Sequence, residues 1–135
     1  MKTQFCSGRD GLLTKINGQL AFLNVALTAL KQADIGERVL THMHRGVTAI
    51  RGTLRTAESP DLEAFACDFE DLLGLICAGE ISLTPNMVRL IRGSTEALSQ
   101  GVEALQRGDS VADAVQDARD AVFSRLLDHA VTVKR

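Results

Sequence analysis

The segment LTHMHRGVTAIRGT, residues 40–53, concentrates side chains capable of chemistry on one predicted helix. His44, Thr48, Arg51 and Arg55 recur at spacings of three and four, which places them within an arc of about 60° on a helix. An imidazole, a hydroxyl and two guanidinium groups on one ridge suit nucleophilic, acid–base or charge-pairing roles. Because an ordinary buried helix does not require such residues, this ridge is the first candidate site.

The following predicted helix carries a carboxylate at a matching position. Glu63, Cys67, Glu70 and Gly74 lie on one flank of its apolar stripe. If the two helices pack antiparallel with these flanks together, cationic and hydroxyl groups face a carboxylate across a groove. The alternative is an ordinary polar flank, on which an Arg opposite a Glu forms a surface ion pair of modest energy. Periodicity alone leaves both interpretations open.

Helical periodicity runs through the chain and predicts five amphipathic helices. Aromatic residues make up only 4% of the sequence, which disfavours a β-rich fold. The five apolar stripes extend over residues 12–30, 39–54, 62–76, 87–105 and 111–126, and we expect the core to cover all of them. Residues 1–135 are therefore predicted to form one all-α domain, an antiparallel up-and-down four-helix bundle with a fifth, C-terminal helix alongside.

Capping residues predict where these helices begin and end. A hydroxyl before a proline marks two starts, at Ser59-Pro60 and Thr84-Pro85. Gly79 and Gly108 stand where left-handed helix ends are expected. Three further starts are predicted as capping boxes, at Ser7 with Asp10, Asp34 with Glu37, and Ser110 with Asp113.

Composition argues against several classes of partner and compartment. With 15 Lys and Arg against 17 Asp and Glu, the chain has no cationic excess for binding nucleic acid. No apolar run has the length of a signal-peptide core or a membrane span, so we expect a cytoplasmic protein without membrane contact. Cys6, Cys67 and Cys77 lack CxxC spacing and leave one cysteine unpaired in any disulfide scheme, which favours reduced thiols.

The three histidines show no metal-binding pattern. No Glu-x-x-His pair occurs, so we expect no di-iron site, no other metal and no cofactor. His42 points roughly opposite the ridge. His129 falls on the apolar stripe of the last helix, where a hydrogen-bonded structural histidine is expected.

The order of residues in the second to fourth helices resembles the N-terminal histidine phosphotransfer domain of chemotaxis-type histidine kinases. The segment HRGVTAIRG is similar to the family pattern F-R-x-x-H-S-I-K-G, and the family's H-x-x-E-x-L-L helix, G-E turn and Thr-Pro start follow in order. The resemblance covers roughly residues 12–108 through several ordered matches, none of them highly specific alone. The matching residues are Arg45, Ile50, Gly52, Glu70, Leu72, Leu73, Gly79, Glu80, Thr84 and Pro85, with Arg51 in place of Lys. The resemblance implies a five-helix phosphotransfer fold.

The departures from the family pattern concern its reactive residues. Thr48 occupies the position of the phosphorylated histidine, and Cys67 occupies that of the second motif's histidine. In the family, the glutamate corresponding to Glu70 fixes the tautomer of the reactive imidazole. A threonine hydroxyl is a poor nucleophile without a base, and its phosphate ester lacks the labile P–N bond of phosphohistidine. His44 is an alternative acceptor, but it lies about 6 Å along the axis from Thr48, away from Glu70.

The resemblance with its departures implies a pseudo-phosphotransfer protein of a bacterial two-component or chemotaxis-like pathway. Such a protein binds a receiver domain or a histidine kinase catalytic domain, as adaptor or competitor, without carrying phosphate on histidine. The expected partner surface consists of His44, Arg45, Thr48, Arg51, Arg55, Cys67 and Glu70. Two alternatives stay open, an active intermediate phosphorylated on Thr48 or His44, and a helical chaperone or adaptor with an exposed apolar strip. The sequence does not specify the oligomeric state.

Overall fold

Five α-helices make up the computed structural model, which describes residues 2–30, 36–57 and 59–133. The helices are α1 (Lys2–Leu30), α2 (Gly36–Thr56), α3 (Pro60–Cys77), α4 (Pro85–Arg107) and α5 (Val111–Val133). These described residues contain no β-strand, and the all-α prediction is confirmed. Within the same ranges, no helix combines the length and apolar character needed to cross a membrane.

Local chemistry sets the start of α4 and the ends of α3 and α4. Thr84 Oγ1 accepts a hydrogen bond from the backbone N–H of Met87 at 3.1 Å, so this predicted N-cap is confirmed. Gly79 and Gly108 have φ of 79° and 77°, the left-handed conformation that glycine adopts without steric cost. At the start of α5, Ser110 Oγ accepts from Asp113 N at 3.3 Å, which supplies half of the predicted capping box.

The other predicted starts differ from the structure or lie outside it. Ser59 precedes Pro60 as predicted, but its hydroxyl makes no capping hydrogen bond. Its ψ is 85°, whereas Thr84, which does cap its helix, has ψ of 166° in the extended region typical of an N-cap. The predicted start at Ser7 is wrong, because α1 begins at Lys2. The side chains of the box at Asp34 and Glu37 lie outside the described residues.

Apolar side chains from all five helices form one contiguous buried cluster. Six fully buried side chains of this cluster come from α2, α3 and α4, namely Val47, Ile50, Phe65, Phe69, Leu72 and Leu98. The rings of Phe65 and Phe69 stack with centroids 6.3 Å apart. On α4, Gly101 permits close packing, since a Cβ there would lie 2.6 Å from Leu62 Cδ1 of α3.

Helix α3 contacts α2, α4 and α5, and α4 contacts α1, α3 and α5, while α1 also contacts α2. Contacts between α2 and α3 pair rising residue numbers with falling ones: His44 lies near Gly74, Thr48 near Glu70 and Arg55 near Glu63. The two helices are therefore antiparallel, as the matching of their polar flanks requires.

The core covers the expected apolar stripe of α5, but the helix carries a second one that the sequence analysis does not anticipate. The α5 residues that we place in the core are buried or half-buried, but the same helix exposes three other large apolar side chains, Phe123, Leu127 and Val131. These residues recur at a spacing of four, so they form a second apolar stripe on α5. The core covers one apolar stripe of this helix and leaves the other exposed to solvent.

Candidate functional site

Thr48 and Glu70 meet across the groove between α2 and α3. The Thr48 hydroxyl contacts Glu70 Oε2 in a hydrogen bond and also lies 2.9 Å from the backbone oxygen of His44, one turn earlier. A hydroxyl has one proton to donate, and the charged carboxylate is the stronger of the two acceptors. The predicted contact between these two side chains is confirmed.

Arg51 holds the same carboxylate from the next turn of α2. Its Nε donates to Glu70 Oε1 at 2.9 Å, and its Nη2 donates to Oε2 at 3.4 Å. The side chains of Arg51 and Glu70 are only 24% and 15% exposed, so this ion pair is partly shielded from water. Glu70 therefore receives hydrogen bonds from two residues of α2, and both of its carboxylate oxygens are engaged.

The net effect on Glu70 is a lowered pKa. Burial is the largest single cause and acts to raise the pKa of this carboxyl. The hydrogen bonds from Thr48 and Arg51, together with the charges of Arg51 and His44, outweigh burial and hold the pKa below its ordinary value. Glu70 is thus a stable anion and a weak base, and its hydrogen bond raises the pKa of Arg51 further.

His44 packs against α3 without joining this network. Its Nε2 lies 3.4 Å from the position that a Cβ on Gly74 would occupy, so the glycine leaves room for the imidazole. The ring is half-buried, and no hydrogen bond between described side chains joins His44 to Glu70. The structure therefore keeps His44 on the predicted ridge, close enough to act electrostatically on Glu70, but without a hydrogen bond that could orient its ring within the described residues.

The ridge is less positively charged than its sequence indicates. Arg55 Nε lies 3.2 Å from Glu63 Oε2 in an exposed ion pair, and Arg51 is paired with Glu70. Arg45 is exposed to solvent. Three arginines facing two glutamates leave one net positive charge, carried at Arg45.

Cys67 borders the site on the α5 side. It is half-buried, it raises the pKa of Arg51 through a small electrostatic effect, and it lines a groove between α3 and α5.

The other two histidines lie away from this site. His42 packs edge-on against Phe22 of α1, and His129 Nε2 lies 3.7 Å from Glu80 Oε1. In the described part of the chain, no three His, Cys, Asp or Glu side chains cluster as metal ligands.

The geometry resembles a nucleophile and its base, but the energetics disfavour that role. A hydroxyl in contact with a carboxylate has the spacing needed for proton abstraction. A carboxylate with a lowered pKa, held by Arg51, accepts that proton poorly. What remains is a surface on which Arg51 and Arg55 are paired with glutamates, while Arg45 is exposed and forms no ion pair within the described residues.

Comparison with known proteins does not add to this description. The chain has no match among protein-family models, curated proteins or solved structures. The polar flanks predicted from the sequence bring Thr48, Arg51 and Glu70 together at the α2–α3 groove, but the exposed stripe of α5 was not predicted. The i, i+4, i+8 spacing of Phe123, Leu127 and Val131 is the signal that could have found it.

Proposed function

We propose that this protein is a cytoplasmic pseudo-phosphotransfer protein, an adaptor or competitor that binds a receiver domain or a histidine kinase catalytic domain. Its partner surface is the α2–α3 face, made of His44, Arg45, Thr48, Arg51, Arg55, Cys67 and Glu70. Binding, and not phosphoryl transfer, is the activity of this face. The pathway is of the two-component or chemotaxis-like type that the sequence resembles.

The observation that carries the proposal is the contact between Thr48 and Glu70. The resemblance implies a reactive histidine at position 48 and a glutamate that orients its ring. Here the glutamate is retained and bonded, but the side chain that it orients is a hydroxyl. With no ring nitrogen at position 48, the arrangement preserves the shape and polarity of the surface without the acceptor.

The helix contacts support the same proposal. Helices α1 to α4 form a closed ring of contacts, with α1 against α2, α2 against α3, α3 against α4 and α4 against α1. Helix α5 packs on α3 and α4. A four-helix bundle with a fifth helix alongside accounts for this pattern, and it is the arrangement that the resemblance implies.

Charge complementarity on this face depends chiefly on Arg45. Receiver domains have an acidic phosphorylation pocket, which a cationic helix face complements. Since Arg51 and Arg55 are already paired with glutamates of α3, a partner carboxylate gains less from them than from an unpaired arginine. Arg45 is the exposed cation that a partner meets first, and it should have the largest effect on the association rate.

A second candidate function is favoured by one observation, the direct hydrogen bond from Thr48 to Glu70. In that function Thr48 accepts the phosphoryl group, with Glu70 as base. The lowered pKa of Glu70 and its ion pair with Arg51 count against it. His44 is the weaker acceptor, because no carboxylate among the described residues forms a hydrogen bond that orients its ring.

A binding titration tests the proposal. Purified receiver domains and kinase catalytic domains from the source cell are titrated by calorimetry into the parent protein, Arg45→Glu and Arg125→Glu. Arg125 is exposed on α5, away from the ridge, so it controls for the change in net charge. We expect at least one domain to bind the parent, and Arg45→Glu to weaken binding by about 1 to 3 kcal/mol. Equal losses in both variants, or no binding domain, would exclude the α2–α3 face as the partner surface.

A further inference from the structure

The second apolar stripe of α5 is a substantial exposed feature of the molecule. Phe123, Leu127 and Val131 are 55%, 53% and 52% exposed. Single exposed apolar residues are common on protein surfaces, but three in line on one helix form a continuous strip two turns long. Such strips mark contact sites for other molecules.

The strip begins in a groove between α3 and α5. This groove has a volume of about 620 Å³ and is lined by Ala64, Cys67 and Asp68 of α3 and by Arg119, Asp120 and Phe123 of α5. Further along, His129 of α5 lies near Glu80, which follows α3, so the two helices run parallel. A ligand in the groove can therefore extend from Phe123 along α5 over Leu127 and Val131.

The groove has an acidic rim. Asp68 and Asp120 border it, and Asp71 lies one turn beyond Asp68 on α3. Arg119 is the cation that acts on Asp68, but in the described part of the chain the two form no direct ion pair. Burial, assisted by the charge of Asp71, raises the pKa of Asp68. Three carboxylates facing one arginine leave two net negative charges beside an apolar strip.

We propose that the α3–α5 groove, with the exposed stripe of α5, binds a basic amphipathic helix of a partner protein. The apolar face of that helix covers Phe123, Leu127 and Val131, and its flanking Lys or Arg residues pair with Asp68, Asp71 and Asp120. An anionic lipid surface is disfavoured, because its charge has the same sign as the rim. A second copy of this chain is disfavoured as well, because it would bring two acidic rims together.

Apart from Cys67, which borders both, this surface is separate from the proposed partner site at α2–α3, and the inference does not depend on that site. The two surfaces lie on opposite flanks of α3 and have opposite net charge, so they select partners of opposite charge. A protein with both surfaces can hold two partners at once, which favours the adaptor form of the proposed function over the competitor form.

A peptide titration tests the inference. The probe is a fluorescent peptide of about 18 residues, long enough to hold a helix, with Leu and Phe along one face and Lys on both flanks. We expect the parent to bind it, and Phe123→Ser or Leu127→Ser to weaken binding by about tenfold. The matched control is Phe22→Ser, a 48% exposed phenylalanine on α1, which should leave affinity unchanged. Asp68→Asn combined with Asp120→Asn should weaken binding and flatten its salt dependence.

Several results would overturn the inference. These are failure of the parent to bind the peptide, equal binding of a peptide with Glu in place of Lys, or an equal loss in Phe22→Ser. If the parent sediments as a dimer and Leu127→Ser dissociates that dimer, the occupant of the groove is a second copy of this chain. If the parent floats with vesicles that contain anionic lipid, the occupant is a membrane surface. The Arg45→Glu variant should bind the peptide normally, and Phe123→Ser should bind receiver or kinase domains normally, so the two proposals fail separately.

Discussion

The pKa values of two carboxylates on α3, Glu70 and Asp68, shift in opposite directions, although the residues are only two positions apart. Glu70 faces α2, where Thr48 and Arg51 engage both of its oxygens and lower its pKa. Asp68 faces α5, where burial raises its pKa and none of the described residues forms a direct ion pair with it. Similar residues on one helix therefore differ in role according to what the neighbouring helix supplies. On the flank that faces α2, the carboxylate is already paired within the chain. On the flank that faces α5, acidic groups and apolar surface are still available to a partner.

The largest expected effect concerns the core that supports both flanks. Phe69 is fully buried, so Phe69→Ala should lower the free energy of unfolding by about 3 to 5 kcal/mol through lost burial and a residual cavity. The same change at Phe123, which is 55% exposed, should cost within about 0.5 kcal/mol. Denaturant titration of the two variants measures both values. If the two losses are equal, α5 does not expose its second stripe in solution.

The next effect separates the two carboxylates directly. Glu70→Gln should destabilise the protein by about 1 to 3 kcal/mol at neutral pH, because it weakens a partly buried ion pair and a hydrogen bond. Asp68→Asn should be neutral or stabilising, because it removes a charge that burial disfavours. Unfolding of each variant in urea at neutral pH gives the two free energies of unfolding. A larger loss of stability for Asp68→Asn than for Glu70→Gln would show that the charge of Asp68, and not that of Glu70, stabilises the fold.

The pH dependence of stability should have opposite signs at the two positions. The pKa of Glu70 is lowered in the folded state, so its contribution is present above the unfolded pKa and is lost as pH falls through the folded pKa. The pKa of Asp68 is raised, so its cost is present at neutral pH and disappears on acidification. The difference in stability between the parent and Glu70→Gln should therefore shrink below about pH 4. Urea titrations across this range check the trend, and a difference that grows on acidification would contradict the assigned signs.

Helical periodicity predicts much of this arrangement. The apolar stripes of α2 and α3 fix which side of each helix is buried, and from that the meeting of Thr48 with Glu70 follows. Periodicity does not determine which hydrogen bonds a side chain forms. The bidentate pairing of Arg51 with Glu70 and the pairing of Arg55 with Glu63 are therefore seen only in the structure.

The sequence did not predict the second stripe of α5 or the start of α1. The apolar arc of α5 is wide enough to hold two stripes, and only packing decides that Val122 is covered while Phe123 is not. The start of α1 was predicted too late in the chain. A capping pattern at Ser7 does not prevent the helix from beginning earlier, and residues 2–6 contain neither Gly nor Pro to interrupt it.

A smaller effect is expected for the hydroxyl of Thr48. Thr48→Val keeps the shape of the side chain and leaves Glu70 bonded to Arg51, so the loss of stability should be about 1 kcal/mol. If the α2–α3 face acts by binding alone, affinity for the receiver or kinase domain should be nearly unchanged. Parallel denaturant and calorimetric titrations measure the two quantities, and an affinity loss of tenfold or more would give the hydroxyl a direct role in binding.

Phosphoryl incorporation tests the central claim most directly. The parent, Thr48→Ala and Thr48→His are incubated side by side with labelled ATP and the histidine kinase that binds the protein, and the label is then challenged with acid. For a face that binds without accepting phosphate, we expect no label on the parent or on Thr48→Ala. We expect an acid-labile label on Thr48→His, whose ring Glu70 can orient. An acid-stable label on the parent that disappears in Thr48→Ala would contradict the account and identify Thr48 as the acceptor, and an acid-labile label on the parent would identify a histidine.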